Sequence, residues 1–294
     1  MDLLKFQKKF PNEEACFDHL VKSRWPEGFI CPKCGHNEYY QLVRRKLFQC
    51  KACHHQASVT AGTVFHRSKL PLQKLFWAMY LVATIKKGMS ALELQRKLGI
   101  GSYKTAWLLL HKLRKAMVSS GDFPLTISIE ADETYIGGQR EGKTGRGARG
   151  KSLVAVAVET DGKNMGRAYL KKIENASMKE LSAFIKERVE IGTNVITDGW
   201  PAYKFLFAEY HHEPIRAKEQ VQRDELLPKV HIVIANLKMW LRGTFNRYPE
   251  KHIQKYLEEF SFRFNRRWNL DNIFDKLLNR CIQTTTITLA ELTA

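Results

Sequence analysis

Residues 125–138 read LTISIEADETYIGG, and the alternation at their start decides the fold. Leu125, Ile127, Ile129 and Ala131 alternate with Thr126, Ser128, Glu130 and Asp132, the period of two that predicts a half-buried strand. The strand is expected to end on the carboxylate of Asp132, with Glu133 beside it. Downstream, SLVAVAVE (152–159) and GRAYLKKI (166–173) read as two more strands joined by the turn Asp161-Gly162-Lys163. Ser177-Met178-Lys179-Glu180 has the capping pattern that opens an amphipathic helix through about Val189. NVITD (194–198) is a fourth short strand, ending on Asp198 and followed by Gly199-Trp200-Pro201.

Three meandering strands, a helix and a strand with a second terminal Asp are the opening of a ribonuclease H-like fold. In that fold the first and fourth strands are neighbours, so Asp132 and Asp198 are expected to converge although 66 positions apart. Two carboxylates held at strand ends suit a divalent cation: hard oxygen ligands on rigid elements, with positions left open for phosphate oxygens. Taken singly, Asp198 before Gly199 also reads as an ordinary turn residue.

Upstream, Cys31, Cys34, Cys50 and Cys53 form C-x2-C-x15-C-x2-C. Four thiols at this spacing suit one tetrahedral zinc better than two disulfides or a redox pair, which needs no second copy. With four cysteines the shell is full, so this zinc is expected to fold the module rather than catalyse, and His36, His54 and His55 are spare. The β-like stretch Tyr39 to Phe48 between the pairs suits the hairpin of a zinc ribbon. Cys16 and Cys281 read as ordinary buried thiols.

Between ribbon and first strand the period becomes helical. Leu72, Leu75, Phe76, Met79 and Ala83 recur after Ser68 and Pro71 until Gly88 stops the run. Ser90-Ala91-Leu92-Glu93 opens a short helix, Gly99-Ile100-Gly101 turns the chain, and Ser102 is placed to cap a third helix with Tyr103, Ala106, Leu110, Leu113 and Met117 on one face. Short helix, glycine turn and longer helix make a helix-turn-helix, and a plain three-helix bundle with a charged face is the other reading.

Lys and Arg total 48 of the 294 residues against 30 Asp and Glu, a formal charge of +18 and a pI near 9.6. That excess calls for a polyanion. The longest strongly apolar stretch, Leu153 to Val158, is far short of the ~20 residues of a spanning helix, and the charged N-terminus does not read as a signal peptide. The expectation is a cytoplasmic protein that binds double-stranded DNA and no membrane. Candidate DNA contacts are Arg44 and Arg45 in the ribbon, Lys104 and Lys112 in the helical region, Arg242, and Arg146 and Arg149 in the loop GGQREGKTGRGARGK (137–151). That loop, with six glycines and five basic residues, cannot bury a core and reads as an electrostatic arm. In YLEEFSFRFNRR (256–267), Tyr256, Phe260, Phe262 and Phe264 alternate with arginines. They read either as platforms for unstacked bases or as the core face of a closing helix.

Together CPKC…CKAC, the helical segment, ADETYIGG, VITDGWPAY, VHIVIANLKMWLRGTF and EEFSFRFNRR resemble bacterial insertion-sequence transposases of the DDE superfamily, in the zinc-ribbon group with an ISXO-like catalytic domain. The resemblance runs from about residue 14 to about 270. It implies a recombinase that recognises the terminal inverted repeats of its element and performs hydrolysis and strand transfer at a site for two Mg²⁺ ions, with Mn²⁺ able to substitute, working as a homodimer or larger assembly on DNA. Asp132 and Asp198 match the first two acidic positions. The third departs from the superfamily's Glu: Val230 to Thr244 contains no Asp or Glu, and the resemblance places Asn236 there, with Lys238 close by. An Asn oxygen ligates a hard cation without adding charge. At 100° per residue Asn236 and Lys238 lie about 200° apart on a regular helix, whereas His231, Lys238 and Arg242 share a face. His231 is therefore the rival third ligand.

The fold class expected is an α+β multidomain chain: a zinc ribbon (14–60), a helix-turn-helix region (68–120), a ribonuclease H-like α/β catalytic domain with a mixed five-stranded sheet (124–270), and a C-terminal tail (271–294). The function expected is a DNA transposase. A catalytically silent zinc-ribbon and helix-turn-helix regulator derived from one, and a structure-specific nuclease, are the alternatives.

Overall fold

The computed structural model describes residues 1–119, 121, 123–137, 151–215 and 226–294. They form two compact units, one of Met1–Met117 with Asn269–Ala294 and one of Val118–Trp268.

The first unit begins with helices α1 (Leu3–Lys9) and α2 (Glu13–Arg24), whose first turns are capped by the side chains of Asp2 and Asn12. Strands β1 (Tyr39–Leu42), β2 (Leu47–Cys50) and β3 (Gln56–Ser58) make an antiparallel sheet in that order. The β-like stretch thus folds as a hairpin, turning through a single 3₁₀ turn at Val43–Arg45 and a left-handed Lys46. Helix α3 (Leu72–Thr84) buries a broad face, leaving Gln73, Trp77 and Leu81 half-buried on the other, and α4 (Ala91–Leu98) and α5 (Tyr103–Ala116) follow. Ser90 caps α4 as its pattern predicts, and Gly99 closes it in the left-handed conformation at φ 55°. Ser102 makes no capping bond, and α3 has no cap of its own. Instead the carboxylate of Glu13 accepts the amides of Leu72 and Gln73 at 2.8 and 2.9 Å.

Residues 271–294 are not a loose tail. Helix α10 (Ile273–Gln283) and α11 (Leu289–Thr293) form there, and α10 packs on α3, α5 and α2. Ile273, Phe274, Leu277, Leu278 and Cys281 recur on one face and are fully buried, with Phe274 against Phe6, Phe10 and Phe76. Apolar periodicity in this segment was the available signal; burying that stripe drives the segment into the core.

The second unit is a five-stranded mixed sheet with helices on both faces. Strands β4 (Ser128–Ile136), β5 (Ser152–Asp161) and β6 (Asn164–Ile173) meander antiparallel; after α6 (Met178–Arg188), β7 (Asn194–Thr197) pairs parallel with β4. Past a 3₁₀ turn and α7 (Leu206–Glu209), β8 (His211–Pro214) pairs parallel with β7, giving the order β6-β5-β4-β7-β8. Helices α8 (Pro228–Thr244) and α9 (Ile253–Phe264) cover one face through Val154, Val156 and Val158. Helix α6 covers the other through Leu153, Ala155 and Ala157. Strand β5, sandwiched between these layers, is buried over its first nine residues, which explains its continuous apolar run. The core reading of the C-terminal aromatics holds: Tyr256, Phe260, Phe262 and Phe264 are buried on α9, with Arg266 and Arg267 laid over Phe262 and Phe264.

Candidate active site and metal centre

The two C-x2-C knuckles have the same backbone. Cys31 and Cys50 donate their amides to the carbonyls of His36 and His55, five residues on, and accept from Gly35 and His54. Gly35 and His54 both adopt positive φ, 75° and 53°. His54 therefore shapes a turn, at a position where glycine is the unstrained residue. The turns bring all four sulfurs within 4.8 Å of one another, with Cys31 to Cys53 at 3.6 Å and Cys34 to Cys50 at 3.5 Å. Zn–S bonds of ~2.3 Å in a tetrahedron require S···S near ~3.8 Å, so the cluster fits a structural zinc. Burial pushes the Cys31 thiol up, but the amides of Lys33 and Cys34 outweigh it and bring it down to about 7. The His36 amide favours a Cys34 thiolate, yet its sulfur neighbours push Cys34 up to about 12. Four adjacent thiolates need a cation to neutralise them, which zinc supplies. Among the described residues this is the one group of three or more His, Cys, Asp or Glu side chains placed to share an ion.

In the second unit Asp132 does not end its strand: β4 continues to Ile136. It is β7 that stops. Its ladder with β4 pairs Ser128 with Asn194, Ile129 with Val195 and Glu130 with Ile196, where the pairing ends; Asp132 and Asp198 each lie two residues further on. Both carboxylates act electrostatically on the buried phenol of Tyr203, beyond the last paired residues of the ladder. Strand alternation sends both to the α8 face, since Ile129, Ala131 and Val195 pack on the α6 side and Ile196 on the other. Asp132 is half-buried and Asp198 exposed. Asp132 Oδ1 accepts the Glu133 amide at 2.7 Å, and Asp198 Oδ1 accepts the Trp200 amide at 3.0 Å across a turn with Gly199 at φ 73°.

Helix α8 brings His231 to this edge, its Nε2 3.1 Å from Asp132 Oδ2. One turn pair along, Lys238 is lowered by burial and by Arg242, and raised by the charge of Asp132, which places it in that carboxylate's field. His231, Lys238 and Arg242 thus share the face turned toward Asp132, as the 100° rule requires. Asn236 lies about 140° round the helix from His231 and is half-buried. Glu130, missed by sequence reasoning, explains how α8 is aimed: its Oε2 accepts the amides of Lys229 and Val230 at 2.7 and 2.9 Å at the helix start. Tyr203, also missed, is fully buried; burial raises its phenol, followed by the charge of Glu133 and a hydrogen bond to it, then by Asp132 and Asp198. Both carry a faint signal in retrospect, as polar groups within motifs otherwise built to be buried.

The candidate DNA contacts divide. Arg44 and Arg45 are exposed at the tip of the ribbon hairpin, Lys104 is exposed at the start of α5, and Arg242 is exposed on α8. Lys112 is not: it is 8% exposed, burial lowers its ammonium, and its Nζ lies 3.5 Å from the His66 carbonyl. The second half of α5 is packed on every side, so the helical wheel of its charged residues misled. Arg146 and Arg149 lie outside the described residues.

Residues 124–265 match the ISXO2-like transposase domain and residues 11–56 match the transposase zinc-ribbon domain. The chain thus carries matches to both domains of ISXO2-like, zinc-ribbon transposases. A relative from Halobacterium salinarum, an uncharacterized protein in transposable element ISH50, is 26% identical over 215 residues, covering 67% of this chain and 70% of the relative. The transposase-domain match spans the whole five-stranded sheet with α8 and α9, and the zinc-ribbon match spans all four cysteines. No helix among the described residues is long and apolar enough to cross a membrane.

Proposed function

We propose that the protein is a DNA transposase that binds the terminal inverted repeats of an insertion sequence and performs divalent-cation-dependent cleavage and strand transfer. The observation that carries the reading is the parallel pairing of β4 with β7, whose continuation would bring Asp132 beside Asp198, with His231 of α8 at Asp132. The sheet order β6-β5-β4-β7-β8, with three antiparallel strands followed by parallel ones, supports a ribonuclease H-like domain. The short α4, the Gly99 turn and the exposed start of α5 support a helix-turn-helix that presents Lys104.

In this reading Asp132 and Asp198 hold Mg²⁺, or Mn²⁺ in its place, and the bound ions supply positive charge to the phosphate oxygens in an in-line displacement. His231 orients Asp132 through Nε2, and Lys238 and Arg242 bind phosphate from the same helix face. The contact with Asp132 favours His231 over Asn236 as the residue completing the site. Arg44, Arg45 and Lys104 grip duplex DNA, and pairing two element ends calls for at least two protomers.

The test is cleavage of element-end DNA by the purified full chain with Mg²⁺. Asp132→Ala and Asp198→Ala should abolish cutting and leave DNA binding intact, His231→Ala should impair cutting more than Asn236→Ala, and joined products should appear with a target duplex. Cutting without joining would make the protein a nuclease. Binding without any cutting would favour the regulator, a reading supported by the lack of Asp and Glu in Val230–Thr244.

A further inference from the structure

The exposed carboxylate of Asp198 sits on a turn that a buried relay holds from behind. Thr197, the last residue of β7, is wholly buried. Its Oγ1 accepts the Gly199 amide at 3.2 Å, closing the turn in which Gly199 takes a φ of 73° and Trp200 donates its amide to Asp198. The same hydroxyl lies 3.0 Å from Nε2 of His212 on β8. That strand is in register with β7, with Val195 opposite His212, Thr197 opposite Pro214, and the Ile215 amide donating to the Thr197 carbonyl at 2.8 Å. Phe207 packs edge-on against the imidazole, ring centroids 4.6 Å apart, and fixes its plane. A carboxylate whose own side chain has a single backbone donor takes its direction from its backbone, and here that backbone is tied to a histidine.

We propose that His212 is a positioning residue for Asp198: its ring fixes the Thr197 hydroxyl, which holds the Gly199 amide and so aims the carboxylate at the position it shares with Asp132. The proposal rests on the reading of Asp132 and Asp198 as the cation-binding pair. Burial lowers the basicity of His212, and the bond of its ring to the hydroxyl runs in whichever direction the tautomer sets. A glutamine amide, offering donor and acceptor at about the same reach, can replace it; phenylalanine, which keeps the packing on Phe207, cannot. Thr197→Ser keeps the hydroxyl and Thr197→Val keeps the shape without it.

The experiment measures Mn²⁺ affinity of the DNA-free full chain by electron paramagnetic resonance, with thermal melting alongside, and then Mg²⁺-dependent cleavage. His212→Phe and Thr197→Val should bind Mn²⁺ about 10-fold or more weakly, the usual loss when a group that orients a ligand is removed. His212→Gln and Thr197→Ser should recover most of the affinity, and all four should melt close to the parent. If Thr197→Val melts early, the contrast between His212→Phe and His212→Gln decides. Parental Mn²⁺ affinity in folded His212→Phe and Thr197→Val, with binding lost in Asp198→Ala, overturns the positioning role and leaves the active-site reading standing. Unchanged affinity in Asp198→Ala overturns the active-site reading, and the positioning role with it.

Discussion

Removing the Glu130 carboxylate should unseat the start of α8 and, through it, His231. Glu130 is 4% exposed, and one of its oxygens takes two backbone amides, from Lys229 and Val230, that no residue of α8 itself satisfies. A hydrogen bond to a charged group is worth ~1.5–3 kcal/mol, and a buried amide left without its acceptor costs ~1–3 kcal/mol. Because the two amides share one oxygen, the bonds are not additive, and we expect Glu130→Ala to cost about 3 kcal/mol in the second unit. Glu130→Gln keeps an acceptor but loses the charge at a helix N-terminus, about 1 kcal/mol. At ~2–4 °C per kcal/mol for a domain of this size, the alanine variant should melt roughly 6–12 °C low. The full chain is followed by circular dichroism and by amide exchange over residues 228–232, which should accelerate before global unfolding. Because the next residue along is His231, 3.1 Å from Asp132, Mn²⁺ affinity should fall as well. An alanine variant that melts within ~0.5 kcal/mol of the parent, with unchanged exchange at 229 and 230, refutes the cap.

Glu13→Ala should destabilise the first unit in the same way by stripping the amides of Leu72 and Gln73, read as faster exchange at the start of α3. Chelation, or Cys50→Ser, should unfold residues 31–58 and release one zinc per chain by mass spectrometry; retained near-parental melting would refute a structural ion. Replacing exposed Arg44 and Arg45 by Ala should flatten the salt dependence of DNA binding by about two phosphate contacts, whereas Lys112→Ala should leave that slope unchanged and lower stability instead. Burial pushes the Glu159 carboxyl up, but the Arg167 side chain and the amides of Thr126 and Arg167 outweigh it and leave it below its ordinary 4.5. Its folded value is therefore lower than its unfolded one, so it adds stability above pH 4.5 that is lost as pH falls. Glu159→Gln should melt lower than the parent at pH 7 and converge with it in acid.

Much of this molecule was legible locally. The cysteine spacing and the capping serines Ser90 and Ser177 describe interactions spanning two to four residues or one short loop, and the chain carries both partners within reach; the alternation from Leu125 held only in part, since Ile127 is exposed, Glu130 is buried and β4 starts at Ser128. The adjacency of β4 and β7 was legible through the β-β-β-α-β pattern. Helical periodicity, by contrast, does not tell a charged residue on a solvated face from one covered by another helix, which is why Lys112 misled and why residues 271–294 passed for a tail.

What tertiary structure alone decided are the contacts whose partners are far apart in the chain. Glu130 reaches the start of α8 and Glu13 the start of α3 across 99 and 59 positions. His212 meets Thr197 only because β8 adds to the sheet beside β7, and His231 rather than Asn236 meets Asp132 because the cap sets where α8 begins and so which face it turns inward. The sequence by itself specified which groups were available and the elements that carry them. Strand register and helix phase, set by burying two apolar faces of one sheet, decided which of those groups meet.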